Sequence, residues 1–409
     1  MKPEHPAGTT APPSHYVDAS ARLRFWLLCA STFLIFLSNS ATALLAVLFE
    51  QAGHSDLAVG QLLAVYGLGA LAGILASGFV ARSLGALTTA RLGTALMLGS
   101  YLSYALSLHS FPLALASRLT HGFAYGLMLA PAMLLAKAQL SPRYFVTLFG
   151  VYASMIPLPN AFGPSAAAWL LERLGTDGFF VLSAVPMALG VLGLLCVRHA
   201  RPHRTLAPHC RYGQLIRHVA LQKLCAIVCI VGLMFGVVPS YMASFLIAHG
   251  IPLAAFFTTF STTMFAGRFL VAPLIEKLPH GGVVGAGILA MGLGFLVLGH
   301  APTLPHALAA GVSFGLGYSL CYPRLSAMLV ASFADNEREK PLALFNMAFV
   351  AGTYAIPWLV GALHSHIPLT NMLLILGLGA AGLGLAQLAT ALFRPSAAKP
   401  LVHTREPHR

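Results

Sequence analysis

The sequence predicts an all-α membrane protein, with twelve transmembrane helices arranged as two six-helix repeats. Three observations predict it. The 409 residues are 57% hydrophobic and only 9% charged, whereas soluble domains carry about a quarter charged residues. Apolar runs of about 20 residues, the length that crosses a bilayer core, recur from Phe25 to Phe393. Lys and Arg fall almost wholly on one side of the topology those runs imply, as they do in cytoplasmic loops.

The elements follow in order. Residues 1–24 hold Pro, His and polar residues and read as a cytoplasmic tail. The apolar run after them is too long for a signal peptide and no small-residue cleavage site follows it, so it is the first span. The spans are 25–48, 58–80, 90–108, 112–136, 144–170 and 178–197, forming an N-terminal bundle (25–197). A second set, 224–247, 252–275, 282–299, 305–331, 342–363 and 370–393, forms a C-terminal bundle (224–393). A basic cytoplasmic linker (198–223) joins them, with anionic-lipid contact as its sharper reading. Residues 394–409 form a cytoplasmic tail.

With both termini inside, 20 of the 24 Lys and Arg are cytoplasmic, Arg91 at the inner edge of the third span among them, one (Arg173) is outside, and Arg118, Arg268 and Arg324 lie deeper within spans. The net charge of +13 therefore reflects loops, not a nucleic-acid partner. The location is the cell inner (plasma) membrane, and the expected state is a monomer.

The bundles look repeated. Gly122 to Pro131 aligns with Phe314 to Pro323, placing Pro131 on Pro323, and Leu148-Phe149 aligns with Leu344-Phe345. Internal repeats of this size are common in transporters, whose site lies between the halves. Glycines four apart (Gly69/Gly73, Gly122/Gly126, Gly281/Gly285, Gly311/Gly315) allow close helix contact.

The stretch Arg118 to Gly126 concentrates chemistry. At 100° per residue, Arg118, His121, Gly122, Tyr125 and Gly126 share one helical arc. A charge in lipid is expensive and faces a bundle interior or a watery cavity. No Asp or Glu lies in the interior of any span, so the three arginines must find water, carbonyls or a bound anion. An Arg fork matches carboxylate or phosphate, which favours an anionic substrate. Proton coupling falls to His121 or to Glu50 at the outer end of span one. A positive His121 would sit near Arg118, and a bound anion would reverse that repulsion.

These motifs resemble the major facilitator superfamily over about residues 22–394. Arg118-x-x-His121-Gly122-x-x-x-Gly126 resembles the span-four motif of its 12-span drug/proton antiporter branch. It also resembles an efflux branch that includes exporters of metal-chelating opines. Gly163-Pro164, after Pro157 and Pro159, resembles the core of the antiporter motif. Gly78-Phe-Val-Ala-Arg82-Ser83-Leu-Gly85 resembles the loop that latches the two halves in the outward-open state, with Arg82 where the family has an acid. The second copy keeps the acid–base pair as Glu276-Lys277. The resemblance implies a cavity lined by polar points on its spans, here Asn39, Asn160, Tyr241 and Tyr354, together with Arg118, His121, Arg268 and Arg324.

The expected function is secondary active transport by alternating access. It is read as proton-coupled export of a small organic compound, anionic or metal-chelating. Uptake of an organic anion and a transport-inactive receptor of the same fold are the alternatives. No Walker sequence is present, so ATP is not the energy source. Gly311-x-Ser313-x-Gly315 lacks the strand–turn–helix context of a hydrolase, so the chain is not read as an enzyme. No Cys/His zinc spacing occurs among the six cysteines, and neither a metal nor a cofactor is expected.

Overall fold

The computed structural model describes residues 16–141, 145–197, 215, 217–271, 274, 278–333 and 339–393. Glu276, Lys277, most of the expected linker and the ends of both tails lie outside the described residues.

Helices make up nearly all of it. They are α1 (Ala19–Ser40), α2 (Leu45–Gln51), α3 (Asp56–Leu84), α4 (Ala86–Ser107), α5 (Phe111–Lys137), α6 (Phe145–Ser154) and α7 (Gly163–Cys196). Then come α8 (Val219–Ser240), α9 (Met242–Ala248), α10 (Leu253–Ala266), α11 (His280–His300), α12 (Leu304–Ala331), α13 (Glu339–Leu363) and α14 (Leu369–Phe393). Every expected span falls on one or more of them. Among the described residues, eight segments are long and apolar enough by themselves to cross a membrane. The other spans fall short for visible reasons. Helices α6 and α10 are interrupted and short, α4 carries Thr89, Thr94, Ser100, Ser103 and Ser107, and α12 carries Pro305, His306, Pro323 and Arg324.

The interruptions are local chemistry that a hydropathy window does not register. In span one a 3-10 turn, Ala41–Leu44, separates α1 from α2. Just there Ser40 Oγ donates to the Leu37 carbonyl (2.6 Å) and Thr42 Oγ1 to that of Asn39 (2.7 Å), competing with the helical ladder. In span five, Pro157 and Pro159 remove donors, a 3-10 turn spans Leu158–Ala161, and α7 restarts at Gly163. Pro164 sits in its first turn, where a missing N–H costs nothing. The two breaks abut, because a Cβ on Gly163 would strike Ser40 Oγ. Span seven breaks at Tyr241 (φ −122°) between α8 and α9. Span eight passes through a π turn, Gly267–Val271, that carries Arg268. The expected loop between spans five and six is instead a kink within α7 at Gly175, whose φ of +65° suits glycine.

Packing sorts the helices into two groups. Before Val197, α1 lies on α7, α3 and α4 lie on α5, and α4 lies on α7. After Val219, α8 lies on α13, α10 on α12, and α11 on both α12 and α14. Helices α3 and α5 approach to backbone contact. A Cβ on Gly122 would meet the Tyr66 carbonyl, and one on Gly69 would meet that of Leu119.

Contacts between the groups lie toward the Glu50 end. Helix α3 meets α13, with Gly60 against Pro357 and Gly361, and Gly67 against Tyr354. Tyr241 Oη donates to the Pro357 carbonyl (3.2 Å), and Thr258 Oγ1 donates to the Ala161 carbonyl (3.0 Å). At the opposite end, Gly78, Arg82, Ser83 and Gly85 are exposed, and open space lies beside both glycines.

Candidate functional site

Helix α5 brings Arg118, His121, Gly122 and Gly126 to a buried face, as the 100° spacing predicts. Gly122 lets α3 come close enough to lay Tyr66 over Arg118. The Arg118 guanidinium carbon is 4.5 Å from the Tyr66 ring centroid. Its Nη1 donates to Tyr104 Oη at 3.4 Å. Tyr104 Oη also lies 2.8 Å from His121 Nδ1. Because that oxygen accepts from Arg118, its own proton is free to be donated to Nδ1.

Four rings close the site. His121 meets Tyr66, Tyr101 and Tyr104 with centroids 5.4, 6.0 and 5.6 Å apart. Tyr101 is held by Ser183 at 2.8 Å. Arg118 is only 4% exposed and His121 0%. A desolvated cation–π contact is worth about 2 kcal/mol, less than the several kcal/mol that burying an unpaired charge costs. The balance is incomplete, because Arg118 Nε and His121 Nε2 are buried with no hydrogen-bond partner.

The site reaches the second group through Tyr66, whose ring lies 4.8 Å from that of Tyr354 on α13. Tyr354, expected to line a cavity, thus covers the Arg118 cluster at the interface. Tyr241, expected likewise, is 4% exposed and bonded to Pro357.

The other two arginines diverge. Arg324 Nη1 lies 3.2 Å from His280 Nδ1, at the start of α11. Arg268 is half-buried on its π turn and makes no hydrogen bond or ion pair among the described residues. It lies within electrostatic reach of Tyr318 and Tyr322 on α12. At the start of α1, Arg24 pairs with Asp18 at 3.1 Å. There Ser20, Ala21 and Arg24 hold the Asp18 carboxyl below its usual range.

Asn39 and Asn160 sit at the two helix breaks, and Asn39 Oδ1 is buried without a partner. Gly163 and Pro164 are buried where those breaks meet. Gly78, Arg82 and Gly85 lie on the exposed end of α3, and Gly85 holds φ +83°.

Reading by span missed the tyrosines. Tyr66, Tyr101 and Tyr104 look like apolar filler, and only the α3–α5 and α4–α5 packing turns them toward Arg118. It also missed a cavity of about 490 Å³ at the Glu50 end, lined by Glu50, Asp56, Tyr241, Ser244, His249 and His364. Its acids come from the first group and its histidines from the second. His249 Nδ1 donates to the Phe245 carbonyl (2.8 Å), leaving Nε2 as an acceptor. Among the described residues no group of three His, Cys, Asp or Glu could hold a metal ion.

Comparison with known proteins agrees with the geometry. No curated protein sequence matches the chain. Among solved structures, the POT family transporter PepTSo superposes with a TM-score of 0.77 at 12% identity, over 93% of this chain and 99% of that one. The nucleoside transporter NupG gives 0.74 at 16%, over 90% and 99%. A POT family transporter in complex with 5-aminolevulinic acid gives 0.74 at 15%, over 90% and 96%. At such identities these similarities speak for the fold alone. The sequence description of the Major Facilitator Superfamily matches residues 28–282 and 253–408, together nearly the whole chain. The protein is therefore a multi-pass membrane protein that belongs to the Major Facilitator Superfamily of transporters.

Proposed function

We propose that the protein exports a small organic anion by alternating access, driven by inward proton movement. The observation that carries the anion reading is Arg268: half-buried and without a bonded partner among the described residues, in a bundle whose span interiors hold no carboxylate. A buried cation without a counter-charge is costly, and a bound anion offsets that cost.

The proton is assigned to the cavity of Glu50, Asp56, His249 and His364. Two acids on one group of helices face two imidazoles on the other. Protonation there changes the attraction that holds the two groups together. His121 is the weaker candidate, because its Nδ1 is engaged by Tyr104.

The contacts at the Glu50 end and the exposed end of α3 from Gly78 to Gly85 describe one limb of the cycle. With both termini in the cytoplasm, that limb is inward-open, and the two bundles, 25–197 and 224–393, rock about the Tyr66–Tyr354 contact. The setting is the inner membrane, and the working unit is a monomer. The branch resemblance through Gly163-Pro164 supports export over uptake.

The test is flux in proteoliposomes of the full chain under an imposed pH gradient, with a panel of labelled carboxylates and neutral analogues. A proton gradient directed against the substrate should raise anion flux, and reversing it should lower it. Flux indifferent to the gradient overturns proton coupling. Net movement only in the same direction as protons replaces export with uptake. No flux of any solute leaves a receptor.

A further inference from the structure

The second group of helices holds an aromatic wall that the Arg118 cluster does not use. Phe235 on α8 stacks on Tyr318 of α12, with centroids 4.6 Å apart and planes at 24°. Tyr318 stacks in turn on Tyr322, one helical turn along, at 6.1 Å and 24°. Phe349 on α13 closes the wall, 5.7 Å from Phe235 and 5.1 Å from Tyr322. Tyr322 is oriented by its hydroxyl, which donates to Asn346 Oδ1 at 2.8 Å.

These four rings differ from their neighbours. Phe260 and Phe314 beside them are 1% and 0% exposed, as core aromatics are. Phe235, Tyr318, Tyr322 and Phe349 are each only half-buried. Tyr125, from the first group, lies within electrostatic reach of both tyrosines, and so does Arg268. The wall therefore borders the space between the two groups. Tyr318 makes no hydrogen bond among the described residues.

A cation thus lies within electrostatic reach of an extended, partly uncovered π surface. Aromatic faces stack preferentially on flat rings, and guanidinium takes a carboxylate bidentately. An aliphatic anion would satisfy Arg268 and leave the rings idle. A neutral aromatic would do the reverse. We propose that Phe235, Tyr318, Tyr322, Phe349 and Arg268 form a substrate site for a planar aromatic carboxylate, its ring on the wall and its acid on the guanidinium. This narrows the substrate class of the transport reading above and rests on it.

The test is equilibrium binding to the full chain in lipid nanodiscs, with benzoate and 2-naphthoate as the aromatic acids. Cyclohexanecarboxylate is the saturated control and benzamide the neutral one. Benzoate should bind several-fold tighter than cyclohexanecarboxylate, the increment expected of a ring contact, about two- to tenfold. It should bind at least about tenfold tighter than benzamide, as expected of a charge-assisted pair. Phe349→Leu should abolish the first preference and keep the second, and Arg268→Gln should do the opposite. Thermal unfolding of each variant, matched to the parent, establishes that it folds. Equal binding of benzoate and cyclohexanecarboxylate overturns the proposal, as does an acid preference that survives Arg268→Gln. Aliphatic anions carried without aromatic ones sink the aromatic site and leave anion transport standing. Aromatic acids bound but never moved against a gradient sink transport and leave the site.

Discussion

The Tyr66 and Tyr354 rings meet at 4.8 Å, tilted by 37°, across the boundary between the two groups of helices, and the Arg118 guanidinium also sits over the Tyr66 ring. The buried charge and the helix–helix interface therefore share one residue. A change in the separation of α3 and α13 alters the cover on Arg118, and a change in the charge state around Arg118 alters the interface.

Tyr354→Ala should loosen that cover. The pair is worth about 0.5–1.5 kcal/mol, so the population closed at the Glu50 end should fall by a few-fold. Distance measurements between spin labels on α3 and α13 read it directly. An unchanged distance distribution would show that the contact contributes nothing to closure.

Two glycines packed against α3, Gly122 on α5 and Gly361 on α13, should respond differently to the same substitution. Gly122→Val drives a side chain into the Tyr66 carbonyl, inside the first group. It should cost a few kcal/mol, as overpacking does, and lower the thermal midpoint. Gly361→Val strikes Gly60 and the Asp56 carbonyl, between the groups. The variant should stay folded and lose transport by about tenfold or more, because it can open and not close. Equal loss of stability in both would dissolve the distinction between packing and gating.

The arginines are predicted to separate. Arg324→Ala removes a contact with His280 at the far end of α12 and should leave affinity for anionic substrates within about twofold. Arg268→Ala should weaken them about tenfold or more without touching neutral analogues. Comparable losses at both positions would mean that the local surroundings of each arginine do not set its role.

The pH response is expected to follow the cavity at the Glu50 end. Glu50→Gln removes one of the two acids that face His249 and His364, so the pH–rate profile should flatten. His121→Gln keeps a hydrogen-bonding group beside Tyr104 and should retain the profile at lower rate. A profile abolished by His121→Gln and kept by Glu50→Gln would move the proton to the Arg118 cluster.

Much of the architecture was legible before any coordinates. Apolar length placed the spans, because in a bilayer a segment must satisfy its own backbone as a helix. The arc of Arg118, His121, Gly122 and Gly126 emerged from periodicity and is the face that α5 buries. The interruptions were legible only in part. Pro157 and Pro159 announce a weak helix, whereas the Ala41–Leu44 and Tyr241 breaks depend on which carbonyls nearby hydroxyls and helices claim.

What the sequence by itself determined is the kind of molecule: an apolar, helical chain with an internal repeat, three arginines in its spans and no acid in their interiors. These properties are sums and periods along the chain, insensitive to which helices meet. Only the tertiary structure decided what surrounds those arginines. Arg118 is roofed by Tyr66 and Tyr354, Arg324 turns to His280, and Arg268 stands beside an aromatic wall. A charge's partner lies on another helix, tens or hundreds of residues away, and no local pattern encodes which helix that is. Arg118 entered as a charge that lacked a carboxylate. The fold surrounds it instead with tyrosines and leaves Arg268, among the described residues, without a bonded partner and within electrostatic reach of Tyr318 and Tyr322.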